Sequence, residues 1–298
     1  MIQVAKLGHS ALQVRDLDAA VAYYRDVLGL SVSEQDSDSA QLTTGLDYAT
    51  ILLSKGPQDR ILHNAFQLNP DSDLTAVSSQ LKDNGVTAEL RTDSDPAIPQ
   101  LLEFEDISGN RIQLYTRTQP AAPAAPHVGV LPHKLGHVCL LTDDVSGLVN
   151  FYSDILGFRW SDWMGDFFAF IRCGSDHHTM NFMRGKTRED QGRMHHIAFE
   201  LNDLNHIGRA CDALAAAGIP LLWGPGRHGP GHNIFTYHRA PDGSIIELFT
   251  ELDRMTNEDV GHFDPRPWHE DRPQRPKVWE PSPHAANSWG ILPPDAFM

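Results

Sequence analysis

The feature that most constrains the fold of this chain is that it repeats itself. Leu7-Gly8-His9, followed by Asp16, Tyr24, Leu28, Gly29 and Leu30, recurs as Leu135-Gly136-His137, Asp144, Tyr152, Leu156, Gly157 and Phe158, at a constant offset of 128 residues. Further along, Arg60–Leu68 (RILHNAFQL) returns as Arg193–Leu201 (RMHHIAFEL), and Asn84-Gly85-Val86 returns as Ala217-Gly218-Ile219, now offset by 133. Ser108–Leu114 matches Asp242–Leu248. Self-similarity on this scale reports architecture before any propensity argument does. The chain is a duplicated module in which loops have changed length while the elements persisted.

Each copy reads as a strand, a helix and several further strands. Val4 to Val14 and Lys134 to Leu141 carry the alternating apolar and β-branched residues of half-buried strands. Asp16 to Gly29 and Asp144 to Gly157 begin at an acidic cap, space apolar residues three and four apart and stop at glycine, which predicts helices. Second helices are expected over Leu74 to Asn84 and Leu204 to Ala217, and short strands over Phe167 to Arg172 and Asn233 to Tyr237. Residues 1–117 form the first module and 133–255 the second, joined by a Pro- and Ala-rich linker over 118–132. From 256 to 298 the chain becomes a Pro-rich tail with Trp268, Trp279 and Trp289, and that much indole predicts a tail packed onto the second module or a neighbouring subunit.

The 298 residues, 41% of them hydrophobic, are enough for two ordinary domains with real cores. A formal charge of -15 argues against polyanionic partners, so neither nucleic acid nor an anionic membrane surface is expected. The first residues lack a basic start and long apolar core, and no apolar run reaches membrane-spanning length, so a cytoplasmic location is expected. Cys139, Cys173 and Cys211 are sparse and odd in number, as expected of reduced thiols.

Two imidazoles and one carboxylate on one side of an ion leave positions open for further ligands. The second module offers that set on three separate strands: His137 on its first strand, His196 in Met194-His-His-Ile-Ala-Phe199, and Glu247 in Ile245-Ile-Glu-Leu-Phe249. The repeat selects His196 over its neighbour, because His63 aligns with His196 and Leu62 with His195. Strand alternation predicts that only one of the pair faces the site. Glu247 stands in an apolar strand where an unpaired carboxylate is costly, and a cation is its natural partner. In the first module His9 and His63 have Gln113 as third member, a neutral amide that is a poor substitute on a divalent ion, so this copy is expected to be a degenerate scaffold. Cys139, two residues after His137, faces the same side and is a candidate substrate-pocket wall.

These residues resemble the type I extradiol ring-cleaving dioxygenases of the vicinal oxygen chelate superfamily, closest to the homoprotocatechuate dioxygenase branch. The resemblance rests on Gly136-His-Val138, His195-His-Ile-Ala-Phe199 and above all Gly224-Pro-Gly-Arg-His-Gly229 followed by Tyr237, Ala240-Pro-Asp-Gly243 and Glu247. It extends to about Met255, and departs from the family signature at Thr236 and Ala240, positions of the pocket wall. It implies an α+β fold of two tandem modules, each pairing βαβββ repeats into an open barrel, with the metal in the second. It further implies Fe(II), with Mn(II) as its substitute, a catechol-type diol and O2 as substrates, and a homo-oligomer, often a tetramer. His177, in preference to the adjacent His178, is implied as the acid/base beside the oxygen site. Tyr237 and His228 are implied at a bound catechol oxygen. Metal-dependent isomerases or lyases of the glyoxalase type, and small-molecule-binding proteins that turn nothing over, share the fold and are the rival readings.

Overall fold

The computed structural model describes residues 2–95, 97–121, 128–187, 192–264 and 274–297. The first module runs β1 (Val4–Val14), α1 (Leu17–Ala22), β2 (Ser31–Gln35), β3 (Ser39–Thr43), β4 (Ile51–Lys55), then β5 (Arg60–Leu68), α2 (Leu74–Asp83), β6 (Glu89–Arg91), β7 (Leu101–Glu105) and β8 (Arg111–Tyr115). The order repeats in the second as β9 (Lys134–Thr142), α3 (Val145–Leu156), β10 (Arg159–Met164), β11 (Phe168–Arg172), β12 (Met180–Arg184), then β13 (Met194–Glu200), α4 (Leu204–Ala216), β14 (Leu221–Arg227), β15 (Ile234–Arg239) and β16 (Ile245–Thr250). The expected α+β fold of paired βαβββ units is therefore observed in both halves.

Each module forms one mixed sheet. The orders are β2-β3-β4-β1-β5-β8-β7-β6 and β10-β11-β12-β9-β13-β16-β15-β14. In each unit the first strand lies parallel to the fourth, and the two units join through an antiparallel pair, β1 with β5 and β9 with β13. The long central strands are buried along almost their whole length, as their apolar alternation requires.

Helix starts follow the acidic caps. Asp16 accepts from the Ala19 amide and Asp144 from the Gly147 amide, each satisfying an otherwise orphan N–H. α3 ends at Gly157 with φ 75°, where a Cβ would lie 2.4 Å from the Ile2 carbonyl oxygen, so glycine is needed there for conformation and space alike. The helix expected over Asp16 to Gly29 differs in kind: its second half, Tyr23–Val27, is π-helical.

One large hydrophobic core spans both modules. Phe66 packs edge-on against Tyr152 and Phe158, and the Tyr23 hydroxyl lies 2.6 Å from His238 Nε2 across the boundary. The tail docks on the second module: β17 (Lys277–Trp279) extends its sheet beside β10, and α5 (Pro283–Ala286) follows. Trp279 donates from Nε1 to Asp162, and Trp289, half exposed, lies under the Arg227 guanidinium. Trp268 and linker residues 122–127 lie outside the described residues. Among the described residues no helix is long and apolar enough to cross a membrane.

Candidate metal centre and pocket

Sheet register brings three potential ligands together. On β13, Ala198 is directly opposite His137 on β9 and directly opposite Glu247 on β16, while His196 lies two residues along the same face. The small Ala198 side chain leaves the space above it to its neighbours. His137 Nε2 and Glu247 Oε2 are 3.1 Å apart, and His196 Nε2 lies 3.3 Å from each of them. All three residues are at most 3% exposed. The glycine before each histidine has a steric cause: a Cβ on Gly136 would lie 2.3 Å from the Phe249 ring, and one on Gly8 would lie 2.0 Å from the Tyr115 hydroxyl.

This donor set fits a divalent cation. Two imidazole nitrogens and a carboxylate oxygen meet inside the protein, and among the described residues no lysine or arginine lines the cavity they face. Burial pushes the Glu247 carboxyl up, yet the neighbouring His137 and His228 and the Tyr237 hydroxyl hold it below its ordinary range. Glu247 is also oriented, since its Oε1 accepts from Asn233 Nδ2 at 3.0 Å and its Oε2 from the Tyr237 hydroxyl at 2.8 Å. In the first module the register is the same, with Ala65 opposite both His9 and Gln113. There, however, Gln113 donates to Glu103 at 2.7 Å, and His9 and His63 face each other at 3.3 Å with no carboxylate between them.

Strand alternation does not hold at the histidine pair. The pairing of β13 with β9 slips between Met194 and His196, a bulge that puts the His195 ring on the cavity side as well. His195 Nε2 meets the Phe297 carbonyl at 2.9 Å and can only donate there, which leaves its Nδ1 as acceptor for His196 Nδ1 at 2.7 Å. That chain of tautomers leaves the His196 Nε2 lone pair aimed at the other two donors. Burial lowers the His195 imidazole to about 4, in keeping with a neutral ring.

The adjacent pair resolves in favour of His178. Its ring lies 4.3 Å from the His137 ring and lines the cavity, whereas His177 points away toward Phe263 and Asp162. The expectation of His177 as the group in the site is thus corrected, because its ring packs against Phe263, outside the cavity. His177 Nε2 lies 3.1 Å from Asp162 Oδ2, and its Nδ1 lies 2.9 Å from His178 Nδ1. His177 Nε2 makes no hydrogen bond to that carboxylate, so the pair is joined only through the Nδ1–Nδ1 contact, and with the shared proton on His178 Nδ1 the His178 Nε2 is left unprotonated. Burial and the surrounding histidines keep His178 well below its ordinary pKa.

Tyr237 on β15 is opposite Glu247 in register, and its hydroxyl also lies 3.0 Å from His228 Nε2. His228 Nδ1 donates to the Ala286 carbonyl at 2.7 Å, so Nε2 competes with Glu247 Oε2 to accept the single Tyr237 proton. Burial, followed by the Glu247 charge, raises the Tyr237 phenol well above its ordinary value and keeps it protonated. Cys139 is placed differently from expectation. Its thiol is buried against the donor atoms of His195 and His196 and does not line the cavity, whose wall at that level is Asn181, its register partner on β12.

The cavity itself is about 200 Å³ and is closed on one side by the tail through Ala285, Ala286, Pro293 and Phe297. Phe168 lines it as well, while Trp163 packs against the core. Asn181 and Asn233 were not singled out by the sequence, and His195 and His178 were named only as the less favoured members of their pairs. The tail was expected to pack on the second module, but its closing of the cavity was not.

The sequence profile of the Glyoxalase/Bleomycin resistance protein/Dioxygenase superfamily matches residues 6–114 and 134–248. The chain is 29% identical over 271 residues to metapyrocatechase 2 of Cupriavidus necator, covering 84% of this chain and 82% of that one. Among solved structures, the Mn(II)-bound glyoxalase of Novosphingobium aromaticivorans superposes with a TM-score of 0.85 at 27% identity, over 99% of this chain and 94% of that one. Homoprotocatechuate 2,3-dioxygenase of Arthrobacter globiformis gives a TM-score of 0.84 at 23% identity over 99% and 91%, a likeness of fold.

Proposed function

The chain belongs to the Glyoxalase/Bleomycin resistance protein/Dioxygenase superfamily, and we propose that within it the protein is an extradiol dioxygenase, opening a catechol-type ring beside its two hydroxyls. In this reading residues 133–255 are the catalytic module and residues 1–117 a scaffold, and His137, His196 and Glu247 hold the metal. One observation carries it: the three donors, a buried phenol and a neutral imidazole all converge on one largely apolar cavity.

Iron(II), or manganese(II) in its place, supplies the one-electron chemistry that couples a diol to dioxygen, chemistry closed to zinc. The residues do the rest. His178 Nε2 takes a proton from one diol hydroxyl and returns it later in the reaction, a task suited to an imidazole. The Tyr237 hydroxyl and His228 Nε2 form a hydrogen-bonded pair that holds the other diol oxygen and fixes its proton. Asn233 keeps Glu247 turned toward the centre, and the apolar walls exclude water. Both atoms of O2 enter the product while one ring C–C bond breaks, so the atoms balance without a further reductant.

The name metapyrocatechase 2 of the Cupriavidus relative agrees with this reading. A glyoxalase-type isomerisation is the second reading, favoured by the name of the Novosphingobium structure, but a single carboxylate in the donor set speaks for the oxidative one. The homo-oligomer, a tetramer by the resemblance, belongs to the same proposal, and sedimentation of the pure protein tests it. Activity is tested by loading the protein anaerobically with Fe(II) or Mn(II) and adding catechols with oxygen. A yellow product with stoichiometric oxygen uptake is expected, whereas oxygen-independent turnover with zinc or nickel would replace the proposal with the isomerase reading.

A further inference from the structure

We infer that the cavity selects a diol whose ring carries an uncharged, apolar substituent and rejects one whose ring carries a carboxylate. The inference rests on the ring-cleavage reading only for which end of the substrate faces the donors. With the diol held by His178, His228 and Tyr237, the rest of the ring lies among Met164, Phe168, Phe170, Trp223 and Phe297. Phe168 and Phe170 have ring centroids 4.3 Å apart, and Trp223 and Phe297 are 4.9 Å apart, so both walls are aromatic. The Trp223 indole has no donor to spare, because its Nε1–H is bonded to the Ile291 carbonyl at 2.7 Å. Asn181 is a neutral amide and cannot balance a charge.

Cationic side chains exist close by, but in a different chamber. A cavity of about 720 Å³, lined from both modules, holds Arg60, Arg184, Arg193 and Arg239, and among the described residues it shares with the apolar cavity only Met183, His195 and Phe297. A carboxylate fixed to the diol ring would lie on the apolar side of that divide. Arg275, the one tail arginine within the described residues, is exposed and lines neither cavity. A carboxylate buried without a partner loses its hydration with no compensation, whereas each buried methylene of an alkyl group strengthens binding by up to about fourfold.

The test is anaerobic calorimetry on the full-length, Mn(II)-loaded protein with 4-ethylcatechol against 3,4-dihydroxybenzoate, and 3-ethylcatechol against 2,3-dihydroxybenzoate. Oxygen uptake is recorded in parallel in air. Each alkyl diol is expected to bind about 100-fold more tightly than its carboxylate counterpart, and any ratio above about tenfold supports the inference. A ratio below that, or a preference for the carboxylates, overturns it even if both are cleaved. Tight alkyl binding with no oxygen uptake would instead defeat ring cleavage and leave this selectivity standing.

Discussion

His177 and His178 share one proton across a 2.9 Å gap between their Nδ1 atoms, and His177 Nε2 rests 3.1 Å from the Asp162 carboxylate. The two imidazoles therefore fix each other's tautomer, one Nδ1 donating and the other accepting. Asp162 accepts from the Lys277 amide and the Trp279 indole, so the tail is pinned beside the histidine pair.

This arrangement predicts unequal effects from the two histidines. His178→Asn should lower kcat by about 10²-fold or more, the usual contribution of a positioned acid/base. His177→Asn should cost about tenfold, as for loss of an orienting partner, and should shift the pH profile of kcat where His178→Asn abolishes its dependence on that group. Both should retain metal. Steady-state kinetics across pH, with metal analysis of each variant, checks this. Equal losses, or the larger loss at His177, would contradict it.

The fold was legible because it is written twice: the offset copies gave the strand–helix–strand order, and the Gly-His pairs marked where an aromatic ring crosses the first strand. The same alignment singled out His137, His196 and Glu247 on three strands, and the register brings their donor atoms within 3.3 Å of one another. What stayed hidden depends on contacts distant in sequence. Choosing between His177 and His178 needed Phe263, against which the His177 ring packs. The bulge that turns His195 inward is a register slip, which no alternation pattern announces. Cys139 was placed on the correct face, but face alone does not say whether a short side chain reaches the cavity.

The tail should matter in two separable ways. Phe297→Ala keeps the backbone carbonyl that fixes His195 but removes an aromatic wall, so KM for alkyl catechols should rise about tenfold with metal affinity unchanged. Deleting residues 293–298 also removes the carbonyl, and metal affinity should then fall about 10- to 100-fold as His196 loses its fixed tautomer. Metal titrations beside KM measurements separate the two. Unchanged metal affinity after the deletion would show that the carbonyl has no such role.

Acid should weaken the junction between modules. Burial lowers His238 to about 4, where its neutral Nε2 accepts from the Tyr23 hydroxyl. Since this folded value lies below the 6.5 of an exposed imidazole, the unfolded chain binds the extra proton. The contribution is complete above about pH 6.5 and is lost as the pH falls toward 4, at about 1 kcal/mol per pH unit. Urea unfolding at a series of pH values should show a shallower acid slope for His238→Gln than for the unmodified protein. Parallel slopes would exclude His238 as a source of the acid sensitivity.

The central claim is that His137, His196 and Glu247 together form the metal centre, and metal content tests it most directly. After loading and desalting, the unmodified protein should hold about one Fe(II) or Mn(II) per chain. His137→Ala, His196→Ala and Glu247→Gln should each reduce this to less than about a tenth, while His9→Ala and His63→Ala should leave it unchanged. An ion that survives the loss of Glu247, or that disappears with His9, would mean that the protein binds its metal elsewhere.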